Sequence, residues 1–173
     1  DILDKCDFPD LNILDLCGNK IENIEVLIKC NYQGLKELNL SSNNINNIDI
    51  LSKCNFPELN ELYLNELNIN NIEFLEECDF DYLIILELKH NNLIDISVFE
   101  KCKFSKLKIL NLDINEINNI NALNKSYFPL LKELKLCGNK IVESIELIEK
   151  RIPKNCKITV SYKPFHHRKL LSV

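Results

Sequence analysis

Residues 35–48 read LKELNLSSNNINNI, and residues 107–120 read LKILNLDINEINNI. The shared skeleton, L-x-x-L-x-L-x-x-N-x-I-x-x-I, returns every 24 residues along the chain. Leucines stand at Leu11, Leu35, Leu59, Leu83, Leu107 and Leu131. Two further series run from Leu14 to Leu134 and from Leu16 to Leu136 in the same steps. Asparagine follows at Asn19, Asn43, Asn91, Asn115 and Asn139, with Leu67 breaking the series. Ile21, Ile45, Ile69, Leu93, Ile117 and Ile141 come next, and then Ile24, Ile48, Ile72, Ile96 and Ile120. A fixed period of this length marks units that bury their apolar faces only by stacking on one another.

Each position has a physical reading. In Leu14-Asp15-Leu16 the alternation gives a short strand with both leucines on one face. Every unit repeats it, so the strands are expected to stack as a parallel sheet, about 4.8 Å per unit. After the strand the chain turns inward and must satisfy buried backbone groups. An asparagine amide both donates and accepts, so stacked asparagines can form a ladder between turns. Leu67 has no amide, which predicts an altered turn or a water in the third unit. The I-x-x-I-x-x-L spacing of Ile21, Ile24 and Leu27 is close to three residues per turn and points to short 3₁₀ or α segments. Phe8, Tyr32, Phe56, Phe80, Phe104 and Phe128 share one register on the return path and are expected to form an aromatic spine.

These units resemble leucine-rich repeats, most closely those of the SDS22-like class, but with a longer 24-residue unit whose extra residues fall in the C-x-F return segment. The resemblance implies an α/β solenoid: a curved right-handed horseshoe with a parallel concave β-sheet and short 3₁₀/α segments on the convex side. It covers residues 1–162: a partial repeat at 1–10, six repeats over 11–152, and a C-terminal capping strand over 153–162. Val142 to Ile152 reads as a helix stopped near Pro153. Residues 163–173 form a basic tail whose His166-His167 pair makes a poor metal site. Because residues 1–10 match the second half of a unit, an upstream cap or further repeats are expected.

Composition narrows the role. With 46% hydrophobic and 27% charged residues the chain reads as one ordinary soluble domain. No apolar run reaches the roughly 20 residues of a membrane-spanning helix, and Asp1-Ile2-Leu3-Asp4 shows no signal-peptide pattern. A net charge of −5 argues against a nucleic-acid partner. Cys6, Cys30, Cys54, Cys78 and Cys102 occupy one repeat position, continued by Ser126, and read as free interior thiols. Cys17 and Cys137 fall at strand ends five units apart and cannot pair. Free thiols predict a reducing, cytoplasmic compartment; Asn39-Leu40-Ser41 and Asn124-Lys125-Ser126 match glycosylation sequons, as chance allows in so Asn-rich a chain.

Three glycines leave no phosphate-binding loop, and His90 within the repeats has no evident catalytic partner. The chain therefore reads as a non-enzyme without metal or cofactor. The outward strand face is the candidate site for a partner protein. Its residues are Ile13, Asp15, Glu37, Glu61, Tyr63, Ile85, Glu87, Lys89, Ile109, Asn111, Asp113, Ile114 and Lys135. Ile85 and Ile109 should be neighbours, with Tyr63 and Ile114 nearby, inside a charged rim of the kind interfaces show. Acidic residues load the N-terminal part of the face and lysines the C-terminal part, which would orient a partner. Six strands span roughly 24 Å, enough for one contact of about 800 Å² per partner. The primary expectation is a monomeric protein–protein interaction module; the alternative is a regulatory or targeting segment of a larger multidomain enzyme or signalling protein.

Overall fold

The computed structural model describes residues 7–142, 146, 148 and 151–161. Its seven strands are β1 (Ile13–Asp15), β2 (Glu37–Asn39), β3 (Glu61–Tyr63), β4 (Ile85–Glu87), β5 (Ile109–Asn111), β6 (Glu133–Lys135) and β7 (Lys157–Thr159). They form one parallel sheet in sequence order. Each strand pairs residue for residue with the equivalent position of the next unit, from Ile13↔Glu37 to Glu133↔Lys157. The central leucines Leu38, Leu62, Leu86, Leu110 and Leu134 are fully buried, while Leu14 of the first unit is only partly covered.

The opposite side carries α1 (Val26–Lys29), 3₁₀ turns over Ile48–Lys53, Glu73–Glu76 and Ser97–Glu100, and α2 (Asn121–Lys125). Four to six residues per segment is what the I-x-x-I-x-x-L spacing allows before the chain must return. The return path places Tyr32, Phe56, Phe80, Phe104 and Phe128 in the core. Tyr32 lies 6.2 Å from Phe8 and 5.8 Å from Phe56, and Phe104 stacks on Phe128 at 6.3 Å. Phe99, from the 3₁₀ turn Ser97–Glu100, packs edge-on against both Phe104 and Phe128. The helix expected over 142–152 falls largely outside the described residues, as do the 163–173 tail, His166 and His167.

Asparagine amides join the turns. Asn43 accepts the N–H groups of Asn19 and Ile21 at Oδ1 and donates from Nδ2 to the carbonyls of Leu16 and Leu40. Asn91 does the same for Leu67 and Ile69, at 3.1 and 3.0 Å, and for Leu64 and Leu88, at 2.8 and 3.0 Å. Asn115 and Asn139 continue the pattern. Every one of these four side chains is buried.

The break at Leu67 has the expected local effect. Leu67 is buried; Asn68 beside it is left-handed (φ 58°), but so is Lys20 beside Asn19 (φ 55°), so the backbone hydrogen bonds and not that φ mark the break. The bond that Asn44, Asn92, Glu116 and Lys140 each send to the preceding unit's Ile or Leu carbonyl has no counterpart at Asn68 among the described residues. A groove of about 950 Å³ runs past this point, lined in part by Asn44, Ile45, Leu67 and Asn68.

Replacing Asn91 removes two acceptor and three donor contacts from a buried site. Asn91→Leu is expected to cost about 3 kcal/mol, from orphaned backbone groups at about 1–3 kcal/mol each. Urea unfolding followed by far-UV circular dichroism measures it; a loss below about 1 kcal/mol would show that the ladder contributes little.

Candidate functional site

The pleat turns one column of residues outward at the start of each strand: Ile13, Glu37, Glu61, Ile85, Ile109, Glu133 and Lys157. A second outward column reads Asp15, Asn39, Tyr63, Glu87, Asn111, Lys135 and Thr159. Ile85 and Ile109 are direct cross-strand partners, both half-buried, as expected. Tyr63 pairs with Glu87 and is therefore diagonal to Ile85. Ile13, on the first strand, is 57% exposed.

Ile114 is not where the sequence reading put it. It lies past the far end of β5, five residues from Ile109, which at strand rise is roughly 15 Å away. Its neighbour is Gly138: a Cβ built on that glycine would meet Ile114 Cα and Cγ1 at 3.3 Å. The apolar groups thus lie in two places, Ile85–Ile109 where the strands begin and Ile114 past where they end.

The turn at Ile114 was missed in the sequence. The residues at its register are Gly18, Ser42, Glu66, His90, Ile114 and Gly138, and all six have positive φ. Their N–H groups extend the ladder past the strands: Ser42 donates to Asn65 at 2.8 Å, and Ile114 to Cys137 at 2.7 Å. Glycine at 18 and 138 was the available signal. A β-branched residue is an outlier in this region; Ile114 holds it at φ 55° while 46% exposed.

Asn111 also departs from expectation. It was read as an exposed contact residue but is 4% exposed. Its amide donates to Glu87 Oε2 at 2.6 Å, and its Oδ1 accepts the Asp113 N–H at 3.0 Å. With both ends of the amide engaged, the side chain lies down along the sheet. Glu87 also meets Lys135 Nζ at 3.7 Å. Asp113 accepts the Cys137 N–H at 2.6 Å, yet burial holds its carboxyl above the usual range. The Tyr63 hydroxyl donates to Glu61 at 2.5 Å. Burial first, then that bond and the charges of Glu61, Glu37 and Glu87, push the phenol upward. Lys89 is exposed at the strand exit. His90 is also exposed, its Nδ1 3.8 Å from Glu66.

None of the seven described cysteines forms a disulfide. On the convex side the thiols of Cys30, Cys54 and Cys78 donate to carbonyls four residues back, at 3.3–3.5 Å, and the Ser126 hydroxyl does so at 2.8 Å. This explains why serine can continue the cysteine series: the position takes a small donor that closes the turn. Burial pushes the thiols of Cys54, Cys78 and Cys102 up to about 12. Cys17, at a strand end, is exposed.

With the sheet, ladder and face described, similar folds can be set beside this one. An internalin (inlF) of Listeria monocytogenes superposes with a TM-score of 0.69 at 23% identity, over 90% of this chain and 44% of its own. Internalin C2 of the same organism gives 0.55 at 19% identity, over 89% and 82%. A leucine-rich-repeat protein of Leptospira interrogans gives 0.56 at 20% identity, over 86% and 48%. The chain thus spans less than half the length of the first and third. No protein-family model and no curated protein matches it. The chain is a leucine-rich-repeat solenoid. Among the described residues no helix is long and apolar enough to cross a membrane.

Two outcomes follow from the geometry. Ile114→Gly relieves a left-handed β-branched residue and is expected to stabilise the fold by about 1 kcal/mol, read as a higher Tm; a lower Tm would mean that its packing on Gly138 outweighs the strain. In native protein at pH 8, iodoacetamide should modify Cys17 well before Cys54, Cys78 and Cys102, which are protonated and largely covered. Peptide mass spectrometry with and without urea reads the order, and equal rates would contradict it.

Proposed function

We propose that the chain is a non-catalytic interaction module that binds a partner protein on the outward face of its parallel sheet. The observation that carries this reading is the Ile85–Ile109 pair, two aliphatic side chains side by side on a face where alternation alone calls for polar groups. Tyr63 sits diagonal to Ile85, and Glu61, Glu87 and Lys135 supply a charged border. Apolar and aromatic centres within polar rims are where binding energy concentrates. Seven strands give the face a length of roughly 29 Å, room for one standard contact.

The same reading takes the chain as a monomer of the SDS22-like class, with the solenoid over residues 1–162 and a tail over 163–173. It assigns a reducing, cytoplasmic compartment, supported by the free thiols. It involves no nucleic acid, membrane, metal or cofactor. A second reading, a regulatory or targeting segment of a larger protein, is favoured by one observation: the chain spans 44% and 48% of two proteins that share its fold.

The test is a pull-down from source lysate with wild type and a Tyr63→Ala/Ile85→Glu/Ile109→Glu variant whose fold is verified by circular dichroism. A protein captured only by wild type is the expected result. Equal capture by both would move binding to the convex side, the edges or the tail.

A further inference from the structure

The charges on the two outward columns differ in how they are compensated. Both lysines there are paired: Lys135 with Glu87 at 3.7 Å and Lys157 with Glu133 at 3.9 Å. The acidic residues of the first three strands are not. Among the described residues, Asp15, Glu37 and Glu61 form no ion pair with any lysine, arginine or histidine. Glu61 takes the Tyr63 hydroxyl, and Asp15 takes the Cys17 N–H at 2.9 Å; neither bond brings positive charge. Glu37 and Glu61 are direct cross-strand partners. Like charges opposite one another in a sheet are destabilising.

Resting on the reading of this face as a protein-binding surface, we propose that its partner is a protein segment with basic side chains followed by adjacent apolar ones. The basic residues would seat on Glu37 and Glu61 beside the Tyr63 ring, and the apolar ones on Ile85 and Ile109. All four protein positions lie in one column that runs across the strands as acid, acid, aliphatic, aliphatic. The partner therefore lies across the strands, with its basic end toward β2. The centres of the acidic and aliphatic pairs are two strand spacings apart, roughly 10 Å. That distance corresponds to about three residues of extended chain or about seven of helix. An arginine or lysine there gains two carboxylates and the face of an aromatic ring, a combination that neutral or acidic segments cannot use. It also removes the repulsion between Glu37 and Glu61, which the free protein leaves uncompensated.

The experiment is a selection from a phage-displayed random dodecapeptide library on the full chain, with depletion on the Ile85→Glu/Ile109→Glu variant. Enriched peptides are then synthesised and titrated by fluorescence anisotropy. The expected peptides carry lysine or arginine at one of the two spacings from a pair of large apolar residues. Glu37→Lys/Glu61→Lys should weaken them at least about tenfold. Reversing the peptide's basic residues to glutamate should restore binding to that variant. Both glutamates lie on the outward face, and an unchanged Tm confirms that the variant folds. Ligands that need the two isoleucines but show no basic excess, or that bind the reversed variant within about twofold, overturn this proposal and leave the binding face intact. A selection that yields no ligand dependent on Ile85 and Ile109 overturns both. Sedimentation of wild type as a dimer that Glu37→Lys/Glu61→Lys dissociates would assign the face to a second copy of the chain and overturn the proposal as well.

Discussion

The solenoid depends on buried asparagine amides. A chain that leaves a strand and turns into its own core carries N–H and C=O groups where water cannot reach them. Asn43, Asn91, Asn115 and Asn139 each bond backbone of their own turn and of the turn before. One side chain thus solves a local problem and sets the spacing between units. Fixed spacing keeps the strands in residue-for-residue register, and register decides which side chains share the outward columns. At Leu67, where the amide is missing, the bond that the next residue usually sends to the preceding unit is absent among the described residues.

Repetition within the chain substitutes for a comparison between chains. Packing dictates the inward positions, and every unit from β1 to β6 carries leucine at the strand centre and again two residues on. Packing does not dictate the outward column, which reads Ile, Glu, Glu, Ile, Ile, Glu, Lys. Side chains that the stacking of units leaves free are where a repeat protein can acquire a specific surface. The convex side is the contrast. Its Cys30, Cys54, Cys78 and Ser126 series looks chemically special, yet each member closes its own turn with one bond to a carbonyl four residues back.

The leucine, isoleucine and aromatic columns were legible because burial forces one residue type at each register. Strand positions, the parallel order and the disturbance at Leu67 followed from them. The left-handed turn was harder to read. Only Gly18 and Gly138 advertise it, while Ser42, Glu66, His90 and Ile114 adopt it without the residue type that signals it. Strict alternation from Ile109 would turn position 114 inward; the left-handed turn there is what leaves Ile114 exposed, and residue type alone did not announce it. Asn111 failed for another reason. Alternation points it outward correctly, but exposure also depends on its partners, and Glu87 and the Asp113 N–H hold it flat. Side-chain pairing between units cannot be read from the position of a residue in its own unit.

Ile114 and the Glu37–Glu61 pair share an energetic character. Each sits at a position whose equivalents in other units carry something the fold would accept more readily: glycine at 18 and 138, and aliphatic side chains at 85 and 109. A β-branched left-handed residue costs about 1–3 kcal/mol, and opposed like charges cost up to about 1 kcal/mol. Stacked leucines supply the stability that tolerates both costs, but they do not require either one. Both features lie on the surface, Ile114 past the end of β5 and the glutamate pair at the start of β2 and β3. A partner that covered them would gain from the conformation already held at Ile114 and from the charge left uncompensated at Glu37 and Glu61. The two act differently: a backbone already held at Ile114 would need no ordering by a ligand, whereas the repulsion at Glu37 and Glu61 would be relieved only by an opposite charge.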